Sequence, residues 1–243
     1  STVRRPVRRR TPADRRTSPR ARALAFAAGA VVAAVALATD VQALAPNLPV
    51  TMQPVRVPRW FTTAAPRLPS GVVLATYPFA TASWQASIPW QAVAGMPFEM
   101  AGGGGPPGTP ERAGPDEKGF GVLLLASAPD VPPPDLDLAN LSAVRRALRD
   151  WQVTMVVVPD GDGLPQFATG RGTAYGITFF TAVLGTPPRR QPGAWVWSAV
   201  DRSSAPPVPL PPSRQAACTG APSPATPGAD PWSTCVIASG RAG

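Results

Sequence analysis

The sequence predicts an α/β domain, a small partly parallel sheet with short helices, preceded by one transmembrane helix and a Pro-rich stalk. Three observations carry this expectation. "VTMVVVP" (153–159) is a continuous apolar, β-branched run, the pattern of a strand buried on both faces. It follows at once on "LANLSAVRRALRDW", whose apolar residues recur at helical spacing. "ALAFAAGAVVAAVALAT" (23–39) is uncharged between Arg22 and Asp40.

Composition narrows the classes. The chain has 34 Pro and 22 Gly among 243 residues, yet 44% of it is hydrophobic, so a folded core interrupted by long Pro-rich connections is expected. The net charge of +9 is concentrated in one place. Residues 1–22 hold nine Arg and one Asp, net +8, and the rest holds 14 basic and 13 acidic groups, net +1. A nucleic-acid-binding domain would spread its basic residues over a folded face, so no nucleic-acid partner is expected. There is no His, which removes the usual general base and the commonest metal ligand. No cofactor and no metal site are expected. Ser1 in place of Met suggests a fragment or a processed chain.

The elements follow in order. Residues 1–22 form a basic tail. The 17 residues of 23–39 span roughly 26 Å as a helix, a little short of a ~30 Å hydrocarbon core that Arg20 and Arg22 can snorkel to reach. A cleaved signal peptide competes with this reading, but its best cleavage pattern, Ala43-Leu44-Ala45, is followed by Pro46. Nine Ala make the span weakly hydrophobic, and Ala25, Gly29 and Ala33 form a stripe of small residues for a neighbouring helix. It therefore reads as one helix of a larger bundle, with the membrane and other helices of the same protein as partners. The Arg cluster puts its start in the cytoplasm and everything after Asp40 outside.

Residues 40–69 read as the stalk, with Trp60 and Phe61 as anchors. A domain over 70–202 follows. Its first strand is in "GVVLATYPF" (71–79), and its first helix is in "WQASIPWQAVAGM", with Pro89 in the first turn and Gly95 at the end. "FGVLLLASA" fits strand or helix equally. In 132–151, Leu138, Leu141, Val144, Leu148 and Trp151 share one helical face opposite Arg145, Arg146 and Arg149, with Asp137 or Asn140 as cap. "GITFFTAVLGTPP" is a helix stopped by Gly185, and "GAWVWSAV" is a closing strand. Residues 203–243 form a Pro-rich tail containing Cys218 and Cys235. In an oxidising compartment these two would close a disulfide, and they have no other Cys or His with which to bind metal.

Four features are candidate sites. Gly102–Gly105 lacks the Lys and hydroxyl of a phosphate loop and runs into Pro106 and Pro107, so it reads as a tight or flexible backbone crossing. Asp160-Gly161-Asp162 has the carboxylate spacing that divalent metals favour, but it is also a common turn sequence. Glu99 is the one acid flanked by apolar residues, Phe98 and Met100. Trp195 and Trp197 point to the same side of their strand. Exposed, they could stack on glycan rings; buried, they fill the core. Trp84, Trp90 and Trp151 read as core or interface residues.

The stretches "VVLATYPF", "WQAVAGMPFEMAGGG", "LRDWQVTMVVVP" and "PGAWVW", with the late cysteines, resemble the carboxyl-terminal extracytoplasmic region of actinobacterial polytopic membrane glycosyltransferases that use polyprenyl-phosphate sugars. The resemblance covers roughly Ala23 to Val236. The chain departs from it where an aromatic usually follows the glycine pair and Gly104 and Gly105 stand instead. In that class the catalytic carboxylate lies in an early outer loop. The resemblance therefore implies an accessory segment with no catalytic residue of its own, meeting a lipid-linked sugar or an envelope glycan at the cell membrane. The alternative expectation is a membrane-anchored, non-enzymatic envelope-binding or scaffold domain.

Overall fold

A computed structural model describes residues 56–80, 87–102, 117–161, 164, 169–220 and 231–241. The expected membrane helix at 23–39 lies outside these residues, as do Trp84, Gly103–Gly105 and Asp162. Among the described residues, no helix is long and apolar enough to cross a membrane. All of them belong to one packed unit beginning at Val55.

The α/β class and the partly parallel sheet hold. In chain order the elements are α1 (Arg59–Thr63), β1 (Val73–Thr76), α2 (Ser87–Val93), β2 (Glu99–Met100), α3 (Glu117–Ser127), α4 (Leu138–Asp150), β3 (Met155–Pro159), α5 (Thr173–Leu184), β4 (Arg189–Gln191), β5 (Ala194–Ser198), α6 (Pro212–Thr219) and α7 (Pro231–Arg241). The strand order is β2-β1-β3-β5-β4. β2, β1 and β3 run parallel, β5 is antiparallel to β3, and β4 is antiparallel to β5.

Alternation along the strands sorts side chains into two cores. Leu74, Val157, Ala194 and Val196 pack with Trp60, Phe61 and Trp90 of α1 and α2. Ala75, Tyr77, Val156, Val158, Trp195 and Trp197 pack on the other face against α3, α4 and α5. Both faces of the central strands are thus covered by helices, which is why they read as unbroken apolar runs. "FGVLLLASA" resolves as helix α3 because it fills a crossing. An added Cβ at Gly119 would sit 2.4 Å from the Ala143 carbonyl of α4, so only Gly lets the two helices come this close.

Three features of the packing bear on the expectations above. First, the described residues on either side of positions 69/70 and 202/203 pack together with the domain. Trp60 and Phe61 are buried core residues. Residues beyond 202 lie along the helices: Val208 N–H donates to Ala182 O and Leu210 N–H to Leu136 O, each at 2.8 Å. α6 and α7 then pack on α5, with Pro212 in the first turn of α6, where a missing N–H costs nothing.

Second, Arg145 is not on the solvent face of α4. It is 7% exposed, and its guanidinium donates to the carbonyls of Ser203 and Ala205, binding the tail segment to the helix. Leu138, placed on the apolar face by spacing, is 56% exposed at the helix start. The Asp137 cap is as expected: its carboxylate accepts from the Asn140 N–H at 2.7 Å.

Third, Trp195 and Trp197 offer no face to a glycan, being 8% and 4% exposed. Trp197 meets Phe180 and donates its Nε1–H to Thr186 O at 2.8 Å. Trp195 lies edge-on to Trp232 of α7. The two indoles share one side as expected, and that side is the core.

The disulfide between Cys218 and Cys235 is present, joining α6 to α7 with Cys218 in the core. At the far end of the sheet, Gly102 settles part of the glycine run. An added Cβ would lie 2.6 Å from the Ala80 carbonyl and 2.7 Å from the Phe79 ring, in backbone with φ of +76°. Gly102 is therefore a tight backbone crossing.

Candidate functional site

In an open α/β sheet, ligands bind beyond the carboxyl ends of the strands, where successive connections leave on opposite faces. Here that point is β1/β3. The β1-to-β2 connection carries α2 on one face, and the β2-to-β3 connection carries α3 and α4 on the other.

On the α3/α5 face this position is filled. After the cis Tyr77–Pro78 bond, Phe79 N–H donates to Ser127 Oγ at 2.8 Å. Tyr77 OH donates to Ala126 O at 3.2 Å and accepts from Arg171 N–H at 3.0 Å. Gly176 of α5 lies against the Tyr77 ring, where a Cβ would come within 2.6 Å. Thr173 Oγ1 ties α5 to the end of β3 through Pro159 O at 3.0 Å.

Burial, above all, pushes the phenol of Tyr77 far above its ordinary value, with the Arg171 N–H opposing. Tyr175 is raised in the same way, with the Arg171 charge opposing. The unfolded chain therefore ionises first. This contribution to stability is complete below about pH 10 and is lost as pH rises above it. Tyr77 and Tyr175 are the only tyrosines, so phenolate absorbance reads these two alone. In an alkaline titration, phenolate is expected to appear together with loss of near-UV ellipticity. A phenol titrating at the ordinary value in an intact fold would contradict this burial.

On the opposite face the strand end is open. A cleft of about 530 Å³ is lined by Arg56, Val57, Pro58, Arg59, Asp160, Leu164 and Gly193. Its floor is set by backbone. Gly193 precedes β5 with φ of +85°, and an added Cβ would lie 2.8 Å from the Trp60 nitrogen. Trp90 Nε1–H donates to the Arg56 carbonyl at 3.1 Å, fixing the chain at the rim.

Asp160, which directly follows β3, is the one acidic residue among the described residues lining this cleft. It is held by both ends: Arg190 Nη1 reaches Oδ1 at 2.8 Å and Nη2 reaches Oδ2 at 2.7 Å. Arg190 is itself pinned by the carbonyls of Gln191 and Ala194 and lies 4.8 Å from the centre of the Trp195 ring. Asp160 thus continues the line of β3, its N–H donating to the Gly193 carbonyl at 3.0 Å, and stands in an ion pair, while Asp162 lies outside the described residues. Glu99 lies elsewhere, exposed on edge strand β2. Among the described residues, no three His, Cys, Asp or Glu side chains converge as a metal site.

Sequence reasoning singled out Asp160 but missed Arg56, Arg59, Arg190 and Gly193. Only the fold brings positions 56–59 beside 160 and 193. In comparisons with known proteins, the chain matches no family model, no curated protein and no solved structure.

Proposed function

We propose that this chain is the carboxyl-terminal, extracytoplasmic accessory part of an integral-membrane glycosyltransferase acting on cell-envelope glycans with a lipid-phosphate-linked sugar donor. Its own role is binding and orientation, and the transfer chemistry belongs to another part of the protein. The observation that carries this reading is the state of Asp160. The carboxylate that follows β3 is committed to a two-point ion pair with Arg190, and among the described residues no second carboxylate lines the cleft beside it. The Cys218–Cys235 bond supports the compartment, because disulfides persist outside the reducing cytoplasm. The sequence resemblance supplies the transferase class.

The test uses the full chain in membranes, offered a polyprenyl-phosphate sugar and an envelope-glycan acceptor. Glycan binding without turnover is expected. Turnover by the chain alone that is abolished by Asp160→Asn or Glu99→Gln would overturn the accessory role. A single Cys at exposed Ser70, in a background lacking Cys218 and Cys235, should react with an impermeant thiol reagent on intact cells. Labelling only after lysis would overturn the orientation.

A further inference from the structure

We infer that the cleft between α1 and the β3 end binds the phosphate of a sugar phosphate, with Arg56 and Arg59 as the recognising side chains. The inference rests on the reading above for the sugar and for the source of that phosphate.

Charge decides the sign of the ligand. Among the described residues that line the cleft three are ionisable, Arg56, Arg59 and Asp160, and Asp160 is paired with Arg190. Asp160 and Arg190 cancel, and Arg190 is held in place by two carbonyls and the Trp195 ring. Arg56 and Arg59 are exposed, and among the described residues neither has an acidic partner. Among the described residues the cleft lining therefore carries two arginines without an acidic partner.

Geometry gives the two arginines a shared, open hollow. The volume of about 530 Å³ falls within the range that encloses small ligands. Both arginines spring from backbone fixed to the core, Arg56 through Trp90 and Arg59 through the close approach of Gly193. Little ordering of the main chain is left for a ligand to impose. Guanidinium forks match phosphate oxygens two at a time, and a phosphate presents oxygens in more than one plane, so two arginines can share it. Val57, Pro58 and Leu164 supply apolar wall against which the ring of a sugar can lie.

The experiment titrates the full chain, in non-ionic detergent, with glucose 1-phosphate, glucose and glucuronate. Glucose 1-phosphate is expected to bind and glucose not. Arg56→Gln combined with Arg59→Gln should weaken binding by about tenfold or more, since hydrogen bonds to charged groups are lost. Arg67→Gln, exposed and outside the lining, should leave binding unchanged. Absence of glucose 1-phosphate binding, equal binding of glucuronate, or full affinity in the double variant would each overturn the inference.

The source is read by competition between a short-chain polyprenyl monophosphate and the corresponding alcohol. Displacement by the phosphate alone supports a lipid-linked donor. Binding of glucose 1-phosphate that neither compound displaces leaves the phosphate site standing and counts against the lipid-linked reading.

Discussion

Trp60→Ala is expected to destabilise the domain by about 3–5 kcal/mol, the cost of removing a large aromatic from a packed core. Trp60 is 1% exposed, meets Phe61 edge-on at 5.0 Å and donates its Nε1–H to Gln191 Oε1 at 2.7 Å. The substitution therefore leaves a cavity and an orphaned amide on β4. Urea unfolding reads the effect as a lowered midpoint with an unchanged slope. An anchor on a stalk outside the fold would cost almost nothing, so a change of less than about 0.5 kcal/mol would show that α1 is not part of the core.

Replacing Cys218 and Cys235 together by Ser is expected to cost about 3 kcal/mol, because the bond closes a loop of 17 residues in the unfolded chain. The loss has a structural site. α6 and α7 are tied to each other by this bond and lie on α5, the most deeply buried helix. Thermal unfolding followed by circular dichroism gives the magnitude. Mass measurement gives the bond itself, a gain of two hydrogens on reduction. Two thiols that alkylate without reductant would refute the pairing.

Elements whose own residues carried the signal were legible. α4 announced itself by spacing and by the Asp137 cap, α5 by its apolar run ending at Gly185, and β3 and β5 by β-branched and aromatic runs. Gly185 adopts φ of +68°, the left-handed cap that glycine supplies without strain. What was not legible depended on partners distant in sequence. β2 is two residues long and exists because Val73 and Leu74 pair with it. Arg145 looked like its neighbours Arg146 and Arg149, and only the carbonyls of Ser203 and Ala205 make it an interior residue. The prolines before α1 and α6 read as part of a Pro-rich stalk and tail, although each helix begins directly after one. The candidate site was half legible. Asp160 stood out by its place after a strand, but the two arginines that set the cleft's charge come from a segment that read as linker.

The strand order has a consequence for biosynthesis. β1, near the start of the folded unit, lies between β2 and β3, and its hydrogen bond from Val73 to Thr154 Oγ1 spans 81 positions. The indole of Trp60 waits longer, for a partner 131 positions on. As the chain is made from its amino end, the apolar residues of α1 and β1 emerge long before the elements that cover them. Closing such separations is slow compared with local helix formation. A nascent chain stopped before Met155 would display Leu74 and Phe61 with no β3 and no β5 to receive them, a surface that invites chaperones or aggregation. The domain thus commits to its fold only after β3 and β5 have been made.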